Sequence, residues 1–140
     1  MTQYLPGLVF PAFVATSLAA QQAPAVHKWA PLVARQDVRL DLDTSSVRST
    51  DHQRRVWLRW TFPTGVPEYA SVELEKRYVD CTRARTRLLA GQDIHIDNGT
   101  ASAPTPKVVS GPESTWHSPT QGSLVAEAVE AVCRWADAGA

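Results

Sequence analysis

The chain has 140 residues, which is enough for one domain with a hydrophobic core. Its 14 basic and 14 acidic side chains give a formal net charge of zero. This balance argues against a general nucleic-acid-binding protein, and the absence of any run of about 20 apolar residues excludes a transmembrane helix of ordinary length.

The N-terminal segment has the features of a secretion signal. Residues 5–14, LPGLVFPAFV, form an apolar stretch, and Ser17 and Ala19 suit the −3 and −1 positions of a signal-peptidase site. We therefore predict a signal peptide at residues 1–19 and an exported protein, located in the periplasm or at the cell surface. An apolar N-terminal arm is the alternative, because no basic residue precedes the apolar stretch and prolines interrupt it.

The folded domain is predicted at residues 29–136, after a linker at 20–28 and before a tail at 137–140. Trp29–Arg35 is predicted as the first strand, and its proline places it at an edge of the sheet. Residues 38–42 alternate apolar and charged side chains, a pattern that is typical of a half-buried strand.

Two longer strands follow. Gln53–Phe62 places its apolar residues at even positions, with one further tryptophan on the opposite face. In Tyr69–Cys81 the apolar residues fall on even positions at first, but Val79 and Cys81 are odd-numbered. We therefore predict a bulge or strong twist between Lys76 and Val79 that turns Cys81 toward the core.

The C-terminal part is predicted as one more strand region, a loop and a helix. Thr82–Ala90 continues the antiparallel order, and two isoleucines extend or follow it as far as the Asn98-Gly99 turn. A long loop at Thr100–Pro119 holds one short strand at Lys107–Val109. Ser123–Trp135 is an amphipathic helix with Ser123 as its N-cap. The sequence predicts an α+β fold, with an antiparallel sheet of about five or six strands and one C-terminal helix packed on one face.

The two cysteines, Cys81 and Cys133, are candidates for a disulfide between the sheet and the helix. Closing a loop of about 50 residues would stabilise the fold by roughly 4 kcal/mol in the chain-entropy model. The predicted export favours this interpretation. Two buried free thiols or a metal-binding pair remain alternatives, although a metal site would require more ligands nearby.

Three arginines, Arg83, Arg85 and Arg87, repeat at period 2 and are the leading functional candidates. Their guanidinium groups could bind carboxylates or sulfates of a partner in bidentate fashion. The alternative is a solvated sheet face on which these arginines pair with Glu73 and Glu75 of the neighbouring strand.

Trp57 lies opposite the apolar face of its strand, between Arg55 and Arg59. An exposed tryptophan beside arginines could form a partner interface or a homodimer interface. If both faces of the sheet are covered, Trp57 is an ordinary core residue.

No catalytic motif is recognised, so we predict no enzymatic activity, no cofactor and no metal site. Asp41–Ser45 superficially matches a phosphotransfer motif, but an exposed strand face leading into a Ser/Thr turn is the simpler interpretation. His95, Asp97 and His117 have the ligand types of a two-histidine-one-carboxylate site, but nothing in the sequence brings His117 close to the other two.

Four segments, taken in order, carry a resemblance to a known family: Leu40–Val47 (LDLDTSSV), Val56–Phe62, Lys76–Cys81 (KRYVDC) and Ser123–Cys133. With these segments, residues 29–133 resemble the surface-adhesin protein E-like domain family of small exported bacterial proteins. The resemblance implies an antiparallel sheet tied to a C-terminal helix by a Cys81–Cys133 disulfide.

The namesake of that family is a lipoprotein adhesin that binds host matrix and plasma proteins, such as vitronectin and laminin, through a basic region around the first cysteine. The resemblance therefore implies a non-enzymatic, adhesin-like protein with a protein partner. A periplasmic structural or envelope protein of unknown ligand is the alternative. The predicted partner-binding residues are those at the matching positions together with the tryptophan above: Lys76, Arg77, Arg83, Arg85, Arg87 and Trp57.

Overall fold

The computed structural model describes residues 27–66 and 68–137. No helix in this range is both long enough and apolar enough to cross a membrane. The predicted signal peptide, most of the predicted linker and the last three residues of the predicted tail lie outside it. The described elements are β1 (Trp29–Ala34), β2 (Arg39–Asp43), β3 (Arg48–Thr50), β4 (Gln53–Pro63), β5 (Ala70–Asp80), β6 (Arg85–Asp97), β7 (Thr100–Ala101), β8 (Thr105–Lys107), a 3-10 helix (Gly111–Ser114) and α1 (Leu124–Asp137).

The strands form one antiparallel sheet in the order β1-β2-β4-β5-β6-β7. The short strand β3 pairs with β4 next to β2, and β8 pairs with β6. Most strands that are neighbours in the sheet are also neighbours in sequence, so short connections are enough to join them. The prediction of an α+β fold with about five or six strands and one C-terminal helix is confirmed, with β3 and β8 as two short additions.

The sheet edges and turns follow from proline and glycine positions. Pro31 lies in the edge strand β1, where a missing N–H is tolerated, and Leu32 is an extra residue relative to β2. Asn98 and Gly99 have φ angles of 48° and 72°, the left-handed conformation that a two-residue hairpin turn requires. The strand β8 begins two residues before the short strand predicted in the long loop.

The helix α1 covers one face of the sheet and forms the core with it. Apolar side chains of β2 and β4 alternate toward the helix, as the period-2 pattern predicts. The buried cluster joins Val38, Leu40, Leu42, Val56, Leu58, Trp60 and Val79 to Ala128, Val129 and Val132 of the helix.

Two local features fix α1 in place. Ser123 is the N-cap, because its Oγ accepts a hydrogen bond from the backbone N–H of Ala126 at 3.2 Å. A disulfide joins Cys81 to Cys133, with a Cα–Cα distance of 5.6 Å. Both the predicted cap and the predicted disulfide are confirmed.

The bulge predicted between Lys76 and Val79 requires correction. The register of β5 shifts between Lys76 and Arg77, but only against β6, where Leu89 is the extra residue. Against β4 the register runs from Ala70 to Asp80 without a shift. Side chains of β5 therefore keep one alternation throughout, and no bulge within β5 turns Cys81 toward the core.

Candidate binding face

The face of the sheet opposite α1 carries a row of basic and aromatic side chains. Residues directly opposite each other in an antiparallel pair share a face. Arg48 of β3 lies opposite Arg55 of β4, which lies opposite Tyr78 of β5, which lies opposite Arg87 of β6. Four adjacent strands therefore place three guanidinium groups and one phenol in one line.

Aromatic rings lie against the cations on this face. The Nζ atom of Lys76 is 5.9 Å from the ring centroid of Trp57, and the guanidinium carbon of Arg87 is 5.1 Å from that of Tyr78. The guanidinium carbons of Arg85 and Arg87 are each 5.6 Å from the ring centroid of Trp116. These distances are within the range of cation–π attraction, which restrains the cations while leaving their charge available.

We call the following set the basic face: Arg48, Arg55, Trp57, Lys76, Tyr78, Arg85, Arg87 and Trp116.

The charges of the basic face are poorly balanced by nearby acids. Arg85 has an ion pair with Asp80, at 3.5 Å. Within residues 27–66 and 68–137, neither Lys76 nor Arg87 nor the two arginines at the β3–β4 end of the row has a carboxylate partner. Four cations of the basic face therefore lack a carboxylate partner among the described residues, although the chain as a whole has zero net charge.

The structure brings together four of the predicted partner-binding residues and separates two. The four on the basic face are Trp57, Lys76, Arg85 and Arg87. Arg83 is exposed but lies in the turn at residues 81–84, because β6 begins only at Arg85. The prediction that all three arginines project from one strand is therefore wrong for Arg83.

Asp80 explains why β6 begins at Arg85 and not at Thr82, where the sequence predicts its start. Its carboxylate accepts hydrogen bonds from the backbone N–H groups of Thr82 and Arg83, both at 3.1 Å, and so closes the turn. Burial raises the pKa of Asp80, but these bonds and the neighbouring Arg85 outweigh burial and hold that pKa below its ordinary value. An aspartate before a turn is the sequence signal that could have identified this boundary.

Arg77 is the second predicted residue that does not belong to the basic face. It lies opposite Val56 of β4, on the face that α1 covers, and only 2% of it is exposed. Its Nε donates to the Glu75 carboxylate at 2.8 Å, and its Nη2 donates to Glu113 at 3.3 Å. The expectation that Arg77 contributes to an accessible basic region is corrected by this burial.

The carboxylate of Glu75 organises the charged cluster around Arg77. Besides the arginine, the indole N–H of Trp60 donates to it at 2.8 Å, and Lys107 lies 3.6 Å away. Burial raises the pKa of Glu75, but the bonds and charge of Arg77 outweigh it, so the pKa is lower than usual. Glu73 pairs with Lys107 at 2.9 Å. The predicted pairing of Glu73 and Glu75 with Arg83, Arg85 and Arg87 is therefore wrong, because these acids pair with Lys107 and Arg77.

Asp41 and Asp43 are both buried, so the expectation that Asp41–Ser45 forms an exposed strand face is wrong. The side chains of Arg39 and Arg59 donate to the Asp41 carboxylate at 2.9 to 3.2 Å. Asp43 accepts hydrogen bonds from His27, from the backbone N–H of residue 28 and from Ser45, at 2.5 to 3.0 Å. These two aspartates hold the end of β2 and the following turn in place.

His95 and His117, the two histidines considered as metal ligands, lie near opposite ends of β6 and do not share a site. His95 pairs with Ser71 across the sheet, whereas His117 forms an isolated bridge with Thr86 near the other end of β6. The described residues contain no group of three or more His, Cys, Asp or Glu placed to hold a metal ion.

Arg48, Arg55, Tyr78 and Trp116 belong to the basic face but were not predicted as site residues. Arg48 is in a three-residue strand that no alternation marks, and Trp116 lies in the loop region before α1. Arg55 and Tyr78 could have been found, since Arg55 has the same parity as Trp57 on β4 and Tyr78 has the same parity as Lys76 on β5. The other two positions depend on pairing between distant segments, which a single sequence does not display.

The family model described as surface-adhesin protein E matches residues 29–134. Comparison with curated proteins and comparison with solved structures each found no match. The matched range contains every strand, both cysteines and most of α1. The chain therefore belongs to the surface-adhesin protein E family.

Proposed function

We propose that this chain is a non-enzymatic, exported adhesin-like protein that binds a macromolecular partner through its basic face. Membership of a surface-adhesin family supports an exported protein with a protein partner. Host matrix and plasma proteins are the class of partner that this relationship favours, and vitronectin and laminin are the first to test.

One observation carries the proposal: Lys76 and Arg87 lie against aromatic rings and have no carboxylate partner within the described residues. Tryptophan, tyrosine and arginine are the residue types enriched at the energetic centres of protein interfaces. Cations already restrained against rings lose less conformational freedom on binding. The buried Nε of Arg87 also has no hydrogen-bond partner in the described chain.

The test measures binding of the purified, oxidised protein to immobilised vitronectin and laminin over a series of salt concentrations. We expect saturable binding that weakens as salt rises, because the contact is electrostatic. The double variant Lys76→Glu/Arg87→Glu should bind at least about tenfold more weakly, since two attractive contacts become repulsive.

The matched control is Arg35→Glu/Arg134→Glu, which gives the same net charge. Arg35 and Arg134 pair with acids of α1, on the other side of the sheet. If the control loses as much binding as the basic-face variant, net charge rather than this face determines binding. Absence of saturable binding to both immobilised proteins would refute the proposed partners.

A further inference from the structure

The basic face contains a cavity of about 220 Å³ at the junction of β2, β3, β4 and β5. Its lining includes cations from three successive strands, together with an imidazole, an indole ring and one carboxylate. These residues are His27, Asp43, Arg48, Arg55, Trp57 and Lys76.

The arrangement of cations around this cavity is unfavourable for the free protein. Arg48 and Arg55 are directly opposite each other on β3 and β4, and like charges in that position destabilise a sheet. Lys76 of β5 lies opposite Trp57, which is two residues from Arg55 along β4 and on the same face. Within the described residues, no carboxylate forms an ion pair with any of these three cations.

The acid in the cavity wall offsets the charge of only one of these three cations and forms an ion pair with none of them. Asp43 already accepts hydrogen bonds from His27, from the backbone N–H of residue 28 and from Ser45. The Nη1 atom of Arg48 donates to the backbone oxygens of Ser45 and Val47, at 3.1 and 2.9 Å, which fixes its position at the cavity wall. The cavity therefore has an excess of at least two positive charges with restrained positions.

We propose that this cavity is an anion subsite that takes a sulfate group of a sulfated polysaccharide. The inference rests on the proposed function for the accessibility of the basic face, and it adds a sulfated polysaccharide to the protein partners proposed there. Guanidinium groups bind planar or tetrahedral oxyanions through paired N–H donors, and a lysine adds a compact charge. A bound sulfate would stand between Arg48 and Arg55 and remove their mutual repulsion.

The rest of the basic face favours a linear polyanion over an isolated ion. From Arg48 to Arg87 the row crosses four strands, a distance of about 14 Å at ordinary strand spacing. Cations therefore recur along one line, as the charges of a sulfated chain do. The rings of Trp57, Tyr78 and Trp116 lie against cations of the basic face and offer apolar surface to the sugar rings.

The first experiment titrates the ¹⁵N-labelled, oxidised protein with sodium sulfate against sodium chloride at matched ionic strength. The indole N–H signal of Trp57, assigned through a Trp57→Phe variant, should shift saturably with sulfate and not with chloride. Sulfate should also raise the melting temperature of the original chain more than that of Arg55→Gln, because site binding adds to the general stabilisation that sulfate gives folded proteins. A Trp57 signal that responds equally to both salts would overturn the subsite.

The variants are Arg55→Gln and, independently, Arg48→Gln, with Arg134→Gln on the outer side of α1 as control. Each of the first two should weaken sulfate binding at least tenfold. Arg55→Gln should leave the melting temperature in chloride equal or higher, since repulsion is removed, whereas Arg48→Gln also loses two hydrogen bonds to backbone oxygens. The control should retain the affinity of the original chain. Sulfate affinity within twofold of the original in both variants would overturn the subsite.

The second experiment compares a heparin oligosaccharide, its desulfated counterpart and polyglutamate of similar length. Strong binding of the sulfated chain alone supports the inference, and equal binding of polyglutamate refutes it in favour of an acidic peptide. The two proposals fail separately. Sulfate binding without vitronectin or laminin binding refutes the proposed partners, whereas protein binding without a sulfate response refutes the subsite.

Discussion

Arg77 introduces a guanidinium group into the interior of the molecule, with 3% of its side chain exposed beside Glu75 at 5%. Removing one partner of a buried ion pair leaves an uncompensated charge and commonly costs about 3–5 kcal/mol. Arg77→Ala should therefore lower the free energy of unfolding by roughly 3 kcal/mol or more, measured by urea denaturation. Arg134→Ala, whose side chain is 71% exposed, should change it by less than about 0.5 kcal/mol. A loss below about 1 kcal/mol for Arg77→Ala would contradict the buried pair.

The contrast between Lys76 and Arg77 shows what the sequence could predict at this scale. Alternation correctly indicates that neighbouring residues of β5 lie on opposite faces. It does not indicate which face the helix covers. The apolar residues Val72 and Leu74 favour the face of the even-numbered residues of β5, whereas α1 packs on the face of the odd-numbered residues. A buried network of charged residues is not recognisable as core from hydrophobicity alone.

At the scale of elements, the N-terminus of α1 depends on one side chain. Loss of a serine N-cap commonly costs about 1 kcal/mol, because a backbone N–H loses its acceptor. Ser123→Ala should therefore lower the free energy of unfolding by about 1 kcal/mol, seen as a lower melting temperature. Ser110 provides the matched control, since it precedes the 3-10 helix without any side-chain cap hydrogen bond. Equal effects of Ser110→Ala and Ser123→Ala would contradict the capping role.

Elements with strong periodicity were predictable, and short ones were not. β2, β4 and α1 were correctly located, because their apolar residues repeat at period 2 or at helical spacing along a full face. β3 and β8 have three residues each, too few for any pattern, and are held by pairing with longer strands. The basic face follows from these pairings, so only its members on β4, β5 and β6 could be found in the sequence.

At the scale of the whole molecule, the Cys81–Cys133 bond joins the sheet to the helix that closes its core. The residues it links are 52 apart, so the bond restricts the unfolded chain considerably. In the chain-entropy model such a loop contributes about 4 kcal/mol. Cys81→Ser/Cys133→Ser should therefore lower the free energy of unfolding by roughly 4 kcal/mol in urea. A reducing agent should destabilise the original protein and leave the double variant unchanged, and a response of that variant would refute the assignment.

The charged interior also makes folding sensitive to acid. In the folded state, the pKa values of Asp43, Glu75 and Asp80 lie below their ordinary values of 3.8, 4.5 and 3.8, because hydrogen bonds and nearby cations outweigh the opposing effect of burial. Near pH 4 the unfolded chain therefore binds more protons than the folded chain. The stabilisation from these carboxylates is complete well above pH 4.5 and is lost as the pH falls through the lower, folded-state values.

The free energy of unfolding by urea should consequently be nearly constant from pH 7 to 6 and should fall below about pH 5. Each proton taken up on unfolding contributes a slope of about 1.4 kcal/mol per pH unit. Glu75→Gln, which removes one of the three titrating groups, should give a shallower slope whatever its effect on stability at neutral pH. Exposed Glu130, with its side chain 68% exposed, supplies the matched control, and Glu130→Gln should leave the slope unchanged. Equal slopes in the original chain and Glu75→Gln would mean that folding leaves the pKa of Glu75 at its unfolded value, and that its ion pair with Arg77 does not account for acid sensitivity.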